Sequence, residues 1–135
     1  MGQYHILVNI DKKEVVLPHD IGLGAKQYEH AGCEGSLADA MYLLSMSSPA
    51  DGGGDFPMTE GVNGRWCGDR IVIVGDYTKE GAIPGVLDSE TLYSIATSNY
   101  KNISDKVRLA FERIYDIRYV KGSFASWKRD ELSEI

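Results

Sequence analysis

The stretch that decides the fold class reads Asp69-Arg70-Ile71-Val72-Ile73-Val74-Gly75-Asp76-Tyr77. Its centre holds four β-branched residues in a row, between Gly68 and Gly75. Such a run is typical of a strand that is buried on both faces. We therefore expect residues 69–77 to form the central strand of a sheet.

The N-terminal segment predicts two more strands. Apolar side chains recur at every second position over residues 4–10, which is the period of a strand. A charged run at 11–14 separates this segment from an apolar run at 15–17. We interpret this pattern as a β-hairpin with residues 11–14 as its tip, and we expect it to share a sheet with 69–77.

Helical signals occur in four places. A short helix is expected over 25–30 and a longer one over 37–46, where Ser36 is a suitable N-cap. Residues 90–99 predict another helix, with Leu92, Ile95 and Ala96 facing inward. The clearest helix begins at Ser104. Its apolar stripe consists of Val107, Ala110, Phe111 and Ile114.

Together these elements predict an α+β fold, with a mostly antiparallel sheet and two or three packed helices. A length of 135 residues fits a single domain over 1–135. Residues 118–120 are expected to form a last strand. Residues 121–135 are expected to form a peripheral tail, in which Trp127 is the anchor.

Composition excludes several classes of protein. The net charge of −6 argues against nucleic-acid binding, which depends on Lys and Arg neutralising phosphates. The longest aliphatic run, 71–74, is too short to cross a membrane. The N-terminus carries no signal-peptide pattern, and Cys33 and Cys67 are too few for a disulfide scaffold. We expect a cytoplasmic protein with both cysteines reduced.

Two stretches carry a resemblance. Residues 1–14 (MGQYHILVNIDKKE) and 64–77 (GRWCGDRIVIVGDY) are similar to a family of small, uncharacterised phage and bacterial proteins. The resemblance covers about a fifth of the chain. It implies a phage or bacterial habitat, hence the cytoplasm of a bacterial host cell, and it implies no mechanism.

The first candidate site consists of Arg65, Trp66, Asp69 and Arg70, which follow Gly64. Arginine offers a planar fork for phosphate or carboxylate, and tryptophan offers a stacking face. Together they could hold a nucleotide-like ligand. The alternative is a turn that leads into the strand, with Trp66 in the core and the arginines in solvent.

The second candidate site is Asp76 and Tyr77, directly after the predicted central strand. Ligands often bind at the carboxyl end of such a strand. Asp76 could accept a hydrogen bond from a hydroxyl or an amine, and Tyr77 could stack. The alternative is a turn aspartate beside a half-buried tyrosine.

The third candidate involves His5. With the hairpin tip centred on Lys12 and Lys13, His5 lies opposite Asp20, and a His–Asp pair can act as an acid/base unit. No nucleophile accompanies the pair in the sequence, so a structural pair is favoured. We name no catalytic residue and assign His5 to the candidate ligand site.

No metal site is predicted. Asp51, Asp55 and Glu60 lie in a long glycine-rich loop, but residues 52–54 are all glycine, which leaves too few ligands for calcium. No zinc-binding spacing of cysteine and histidine is present. A mobile solvent loop is the better interpretation of this segment.

These observations favour a non-catalytic binding protein for a small polar or nucleotide-like ligand, without a cofactor. In a phage setting it could sequester a bacterial immune signal as an anti-defence protein. We expect a homo-oligomer with ligand sites between subunits. The alternatives are a protein-interaction module that inhibits a host protein, and a small hydrolase or transferase that uses His5 and Asp20.

Overall fold

The computed structural model describes residues 3–22, 25–30, 33–48, 52–115, 117–119 and 127–129. Its strands are β1 (His5–Asn9), β2 (Glu14–Val16), β3 (Ile71–Gly75), β4 (Lys101–Asn102), β5 (Ile117–Tyr119) and β6 (Trp127–Arg129). Its α-helices are α1 (Leu37–Ser45), α2 (Leu92–Asn99) and α3 (Ser104–Tyr115). Short 3-10 helices span Pro18–Ile21, Gln27–Glu29 and Ser89–Thr91.

Four strands form one sheet in the order β3-β1-β2-β4. β1 is antiparallel to both β2 and β3, whereas β2 and β4 are parallel. β5 and β6 form a separate antiparallel pair. The α+β prediction is confirmed, and so is the prediction that the hairpin and the 69–77 strand share a sheet.

The position of β3 within the sheet differs from the prediction. β3 lies at an edge, and Ile73 is 44% exposed, whereas every residue of β1 is buried. β1 is an inner strand of the sheet, which its sequence does not indicate because it contains the polar residues His5 and Asn9. Both are buried and hydrogen bonded, Asn9 to Asp69 at 2.8 Å. A β-branched run thus indicates a strand but does not indicate how many neighbours the strand has.

The register of the hairpin also differs from the prediction. Asn9 pairs with Glu14, so the tip spans residues 10–13, one position earlier than expected. Glu14 therefore belongs to β2 and is only 4% exposed. Asp20 lies in a 3-10 helix and accepts a hydrogen bond from Asn102 at 2.9 Å. The predicted pairing of His5 with Asp20 is wrong.

The sheet has a core on each face, because successive residues of β1 point to opposite sides. One core contains Leu7 and side chains of α1 and α3. The other contains Ile6 and Val8 and is covered by α2 through Leu92 and Ala96. The sheet is therefore the middle layer of three.

The helices agree closely with their sequence signals. α1 begins after Ser36, whose hydroxyl accepts a hydrogen bond from the Asp39 amide, as predicted. The buried residues of α3 include the predicted Val107, Ala110 and Phe111. The 25–30 segment forms only a 3-10 turn, and Ile95 of α2 is 38% exposed instead of facing inward.

Most of the predicted tail, 121–126 and 130–135, lies outside the described residues, and within it β6 is described as a strand. The same is true of residues 49–51 of the glycine-rich loop. None of the helices in the described ranges is both long and apolar enough to span a membrane.

Candidate functional site

The turn segment that carries the first predicted site is fixed to the end of α1. The amide of Gly64 donates to the Leu43 carbonyl at 3.0 Å, and that of Trp66 donates to the Leu44 carbonyl at 2.8 Å. Gly64 and Gly68 have φ values of 74° and 81°, where a side chain would be strained. The glycines therefore shape the turn, as the sequence indicated.

Trp66 is fully buried and belongs to the core between the sheet, α1 and α3. Its indole Nε1 donates a hydrogen bond to Oε1 of Glu14 at 2.7 Å. Both faces of the ring are therefore used for packing. In this arrangement neither face of the ring is open to a ligand, and Trp66 is a core residue, as one part of the alternative interpretation expected.

Arg65 forms a two-pronged ion pair with the same carboxylate. Its Nε donates to Oε1 of Glu14 at 2.9 Å, and its Nη2 donates to Oε2 at 2.6 Å. Burial raises the pKa of Glu14, but the hydrogen bonds from Arg65 and Trp66 outweigh burial and leave that pKa below its ordinary value. The Arg65 guanidinium is thus occupied by a structural partner.

Arg70 and Asp69 also bond to the hairpin. Arg70 donates to Asp11 through its amide at 2.7 Å and its Nε at 2.9 Å, and these contacts lower the pKa of Asp11. Asp69 accepts hydrogen bonds from Asn9 at 2.8 Å and from Lys12 at 2.5 Å. The structure therefore brings the first predicted site together as a clasp that joins the turn to the hairpin.

The remaining predicted residues lie at the other end of β3. Asp76 accepts a hydrogen bond from the Tyr4 amide at 2.9 Å, and Tyr77 is 54% exposed. His5 is buried, and its Nδ1 lies 3.2 Å from the Ala25 carbonyl oxygen. Six steps of extended chain separate Arg70 from Asp76, about 20 Å at the rise of a strand. One small ligand cannot contact both groups.

A groove between α1 and α3 is a candidate small-molecule site. Its volume is about 310 Å³, at the small end of the range for small-molecule sites. Four of its seven lining residues are aromatic. The lining consists of Ala38, Asp39, Tyr42, Phe56, Phe111, Ile114 and Tyr115.

The aromatic rings of the groove form two pairs. Tyr42 and Phe56 meet edge to face, with their ring centres 5.9 Å apart and their planes at 72°. Phe111 and Tyr115 are tilted by 54°, with their ring centres also 5.9 Å apart. Tyr42 is 67% exposed, so the side of the groove that it forms is open to solvent. Phe111 is fully buried, so Tyr42, Phe56 and Tyr115 are the rings that a planar ligand in the groove could contact.

Asp39 provides the polar end of the groove. Its Oδ2 accepts hydrogen bonds from the Gly35 amide, at 2.8 Å, and from the Tyr115 hydroxyl. Burial raises the pKa of Tyr115, and the bond to Asp39 with its charge raises it further. Tyr115 is therefore a neutral donor at physiological pH, and Asp39 is an acidic group on an apolar wall.

Comparison of the chain with protein-family models, with curated proteins and with solved structures finds no match. The resemblance to the phage and bacterial family remains a prediction. Within the described ranges, no three His, Cys, Asp or Glu side chains are grouped so that they could hold a metal ion.

The sequence contained a partial signal for the groove. Phe111, Ile114 and Tyr115 have helical spacing, and the first two were recognised as an apolar stripe. Ala38 and Tyr42 are likewise one turn apart on α1. Phe56 comes from an irregular segment whose position relative to the helices leaves no trace in local periodicity. The sequence predicts that this apolar stripe of α3 belongs to the core, and only the structure reveals that part of it faces a groove.

Proposed function

We propose that this protein is a non-catalytic binding protein for a small planar ligand, which occupies the groove between α1 and α3. The observation that supports the proposal best is the combination of three partly exposed aromatic rings with a single carboxylate, Asp39, in a space of about 310 Å³. A concave, largely apolar site with a few polar groups is the usual form of a small-molecule site.

The lining favours one chemical class of ligand. Among the residues that the structure describes, the lining contains a carboxylate and no lysine or arginine, and the chain has a net charge of −6. A ligand that fits should therefore carry an aromatic body and a hydrogen-bond donor, neutral or cationic, that reaches Asp39. Aromatic amines and nucleobases have both features.

The nucleotide-like ligand expected from the sequence is compatible with this groove through its base. Its phosphates would have to extend out of the groove, because none of the described lining residues is cationic. Binding at Arg65 instead would require phosphate to displace Glu14 from its present ion pair, whereas the Arg70 side chain contacts Asp11 through Nε alone and is 61% exposed. That such binding serves an anti-defence role in an infected bacterium belongs to the same proposal and rests on the resemblance alone.

A calorimetric titration tests the proposal. Adenine, adenosine, AMP, tryptamine and indole-3-acetate are titrated into the purified chain. We expect the amine-bearing rings to bind. Indole-3-acetate, which carries a carboxylate where tryptamine carries an amine, should bind weakly or not at all. In Asp39→Asn, tryptamine should bind about ten- to a hundredfold more weakly, because a charge-assisted bond contributes about 1.5–3 kcal/mol.

A filled groove is the second test. Ala38→Phe places a large ring inside the groove, and Ala82→Phe makes the same change at an exposed alanine outside its lining. We expect the first variant to lose binding and the second to retain it, with both folded by circular dichroism. Equal binding by the two variants would mean that the ligand sits elsewhere, and Arg65 and Arg70 would then be examined first.

A further inference from the structure

The outer edge of β3 has hydrogen-bonding groups that the fold does not use. On its inner edge, the Arg70 carbonyl accepts from the Ile10 amide at 2.9 Å, and the Asp76 amide donates to the Tyr4 carbonyl at 3.0 Å. Because hydrogen bonding alternates along an antiparallel strand, the N–H and C=O groups of the even-numbered residues of β3 point to β1. The odd-numbered residues Ile71, Ile73 and Gly75 direct their N–H and C=O groups away from the sheet.

The turn after β3 closes this edge at one end. The Gly75 amide donates to Oγ1 of Thr78 at 3.1 Å, and the Gly75 carbonyl accepts from the Thr78 amide at 3.1 Å. The groups that remain are the N–H and C=O of Ile71 and Ile73. Among the residues that the structure describes, none bonds to these four groups.

This edge lacks the features that normally prevent strand pairing. Lysine, proline and bulges are the usual protection, and residues 71–74 contain none of them. Instead, Ile73 is 44% exposed, and Ile71 and Val72 are only half-buried. An open edge with exposed apolar side chains is suited to another strand.

We infer that β3 pairs with β3 of a second copy of this chain, antiparallel, about a two-fold axis at Val72. Ile71 of each copy then lies opposite Ile73 of the other. Each copy supplies two free donors and two free acceptors, so this register satisfies all of them in four hydrogen bonds. It also places Ile71 and Ile73 side chains in contact across the axis.

Charge at the two ends of β3 selects the antiparallel direction and a copy of the same chain. Arg70 precedes the strand with a side chain that is 61% exposed, and exposed Asp76 follows it. In the proposed register, Arg70 faces Val74 of the second copy, and Asp76 of that copy is its diagonal neighbour, within reach of a long side chain. A parallel arrangement would instead bring like charges together.

The test is the mass in solution across a concentration series, by light scattering or sedimentation. The wild type should reach twice the chain mass of 14.9 kDa. Ile73→Lys should remain at the single-chain mass, because it replaces the contact with Ile71 of the second copy by a charge and places two positive charges at diagonal positions across the axis. The matched control is Ile95→Lys, at an isoleucine of α2 that is 38% exposed, and it should dimerise like the wild type.

Amide exchange gives a second readout that does not depend on a variant. The amides of Val72 and Val74 face β1 and should be protected at every concentration. The amides of Ile71 and Ile73 should become protected only as the dimer forms. Three results would each overturn the inference. The wild type could stay at the single-chain mass throughout, or a folded Ile73→Lys could still dimerise. The third is exchange of the Ile71 and Ile73 amides at a rate that does not change with protein concentration.

Discussion

Replacing Arg65 should destabilise the protein far more than replacing Arg70, although the two arginines lie five positions apart in one turn. The Glu14 side chain is 6% exposed, and Arg65→Ala leaves its carboxylate with Trp66 as the remaining side-chain donor. Removing one partner of a buried ion pair costs about 3–5 kcal/mol. Because the Arg65 side chain is 23% exposed, water can reach the vacated side. We therefore expect about 3 kcal/mol, the lower end of that range.

Arg70→Ala is the matched control. The Arg70 and Asp11 side chains are 61% and 37% exposed, so solvent screens the pair, and its loss should leave the free energy of unfolding within the error of the assay. The measurement is urea unfolding followed by far-UV circular dichroism. With a slope of about 2 kcal/mol/M, Arg65→Ala should move the midpoint down by about 1.5 M without changing the slope.

A further variant separates the buried charge from mere loss of packing. In a Glu14→Gln background the carboxylate is already gone, so Arg65→Ala should cost much less than in the wild type. Equal and small effects of Arg65→Ala and Arg70→Ala would refute the argument. So would an Arg65→Ala effect of the same size in both backgrounds.

Two other properties follow from the structure. The folded pKa of Glu14 lies below its ordinary value of 4.5, so its contribution to stability is complete above that pH and is lost as the pH falls through the folded pKa. The urea midpoint of the wild type should therefore fall more steeply in acid than that of Glu14→Gln, and parallel profiles would contradict this. Neither Cys33 nor Cys67 forms a disulfide in the structure, and Cys67 is exposed whereas Cys33 is half-buried. Alkylation of the folded protein should modify Cys67 first, and a mass gain of about two daltons on reduction alone would instead indicate a disulfide between them.

The features that the sequence predicted best depend on neighbouring residues. The Ser36 cap and the start of α1 are local, because the hydroxyl and the amide that it bonds are three positions apart. The helix that begins at Ser104 is likewise specified by its own apolar period. Neither requires knowledge of the rest of the chain.

The features that it missed depend on contacts between distant residues. The local sequence predicts that Glu14 is part of a charged tip, since nothing near it indicates that Arg65 and Trp66 neutralise it inside the protein. The register error and the mistaken pairing of His5 with Asp20 followed from that prediction. The partners of the candidate site residues could not be predicted for the same reason: the local sequence of arginines beside a tryptophan does not indicate whether they bind a ligand or a carboxylate of the same chain.

The buried carboxylate has a consequence for how this chain folds as the ribosome makes it. β1 and β2 are synthesised early, but the residues that neutralise Glu14 follow 51 and 52 positions later. Until they emerge, the nascent hairpin must keep that carboxylate in water, and β1 also lacks its neighbour β3. The sheet therefore cannot close co-translationally until β3 has left the exit tunnel, and a pause in translation before that point would prolong the exposure of β1.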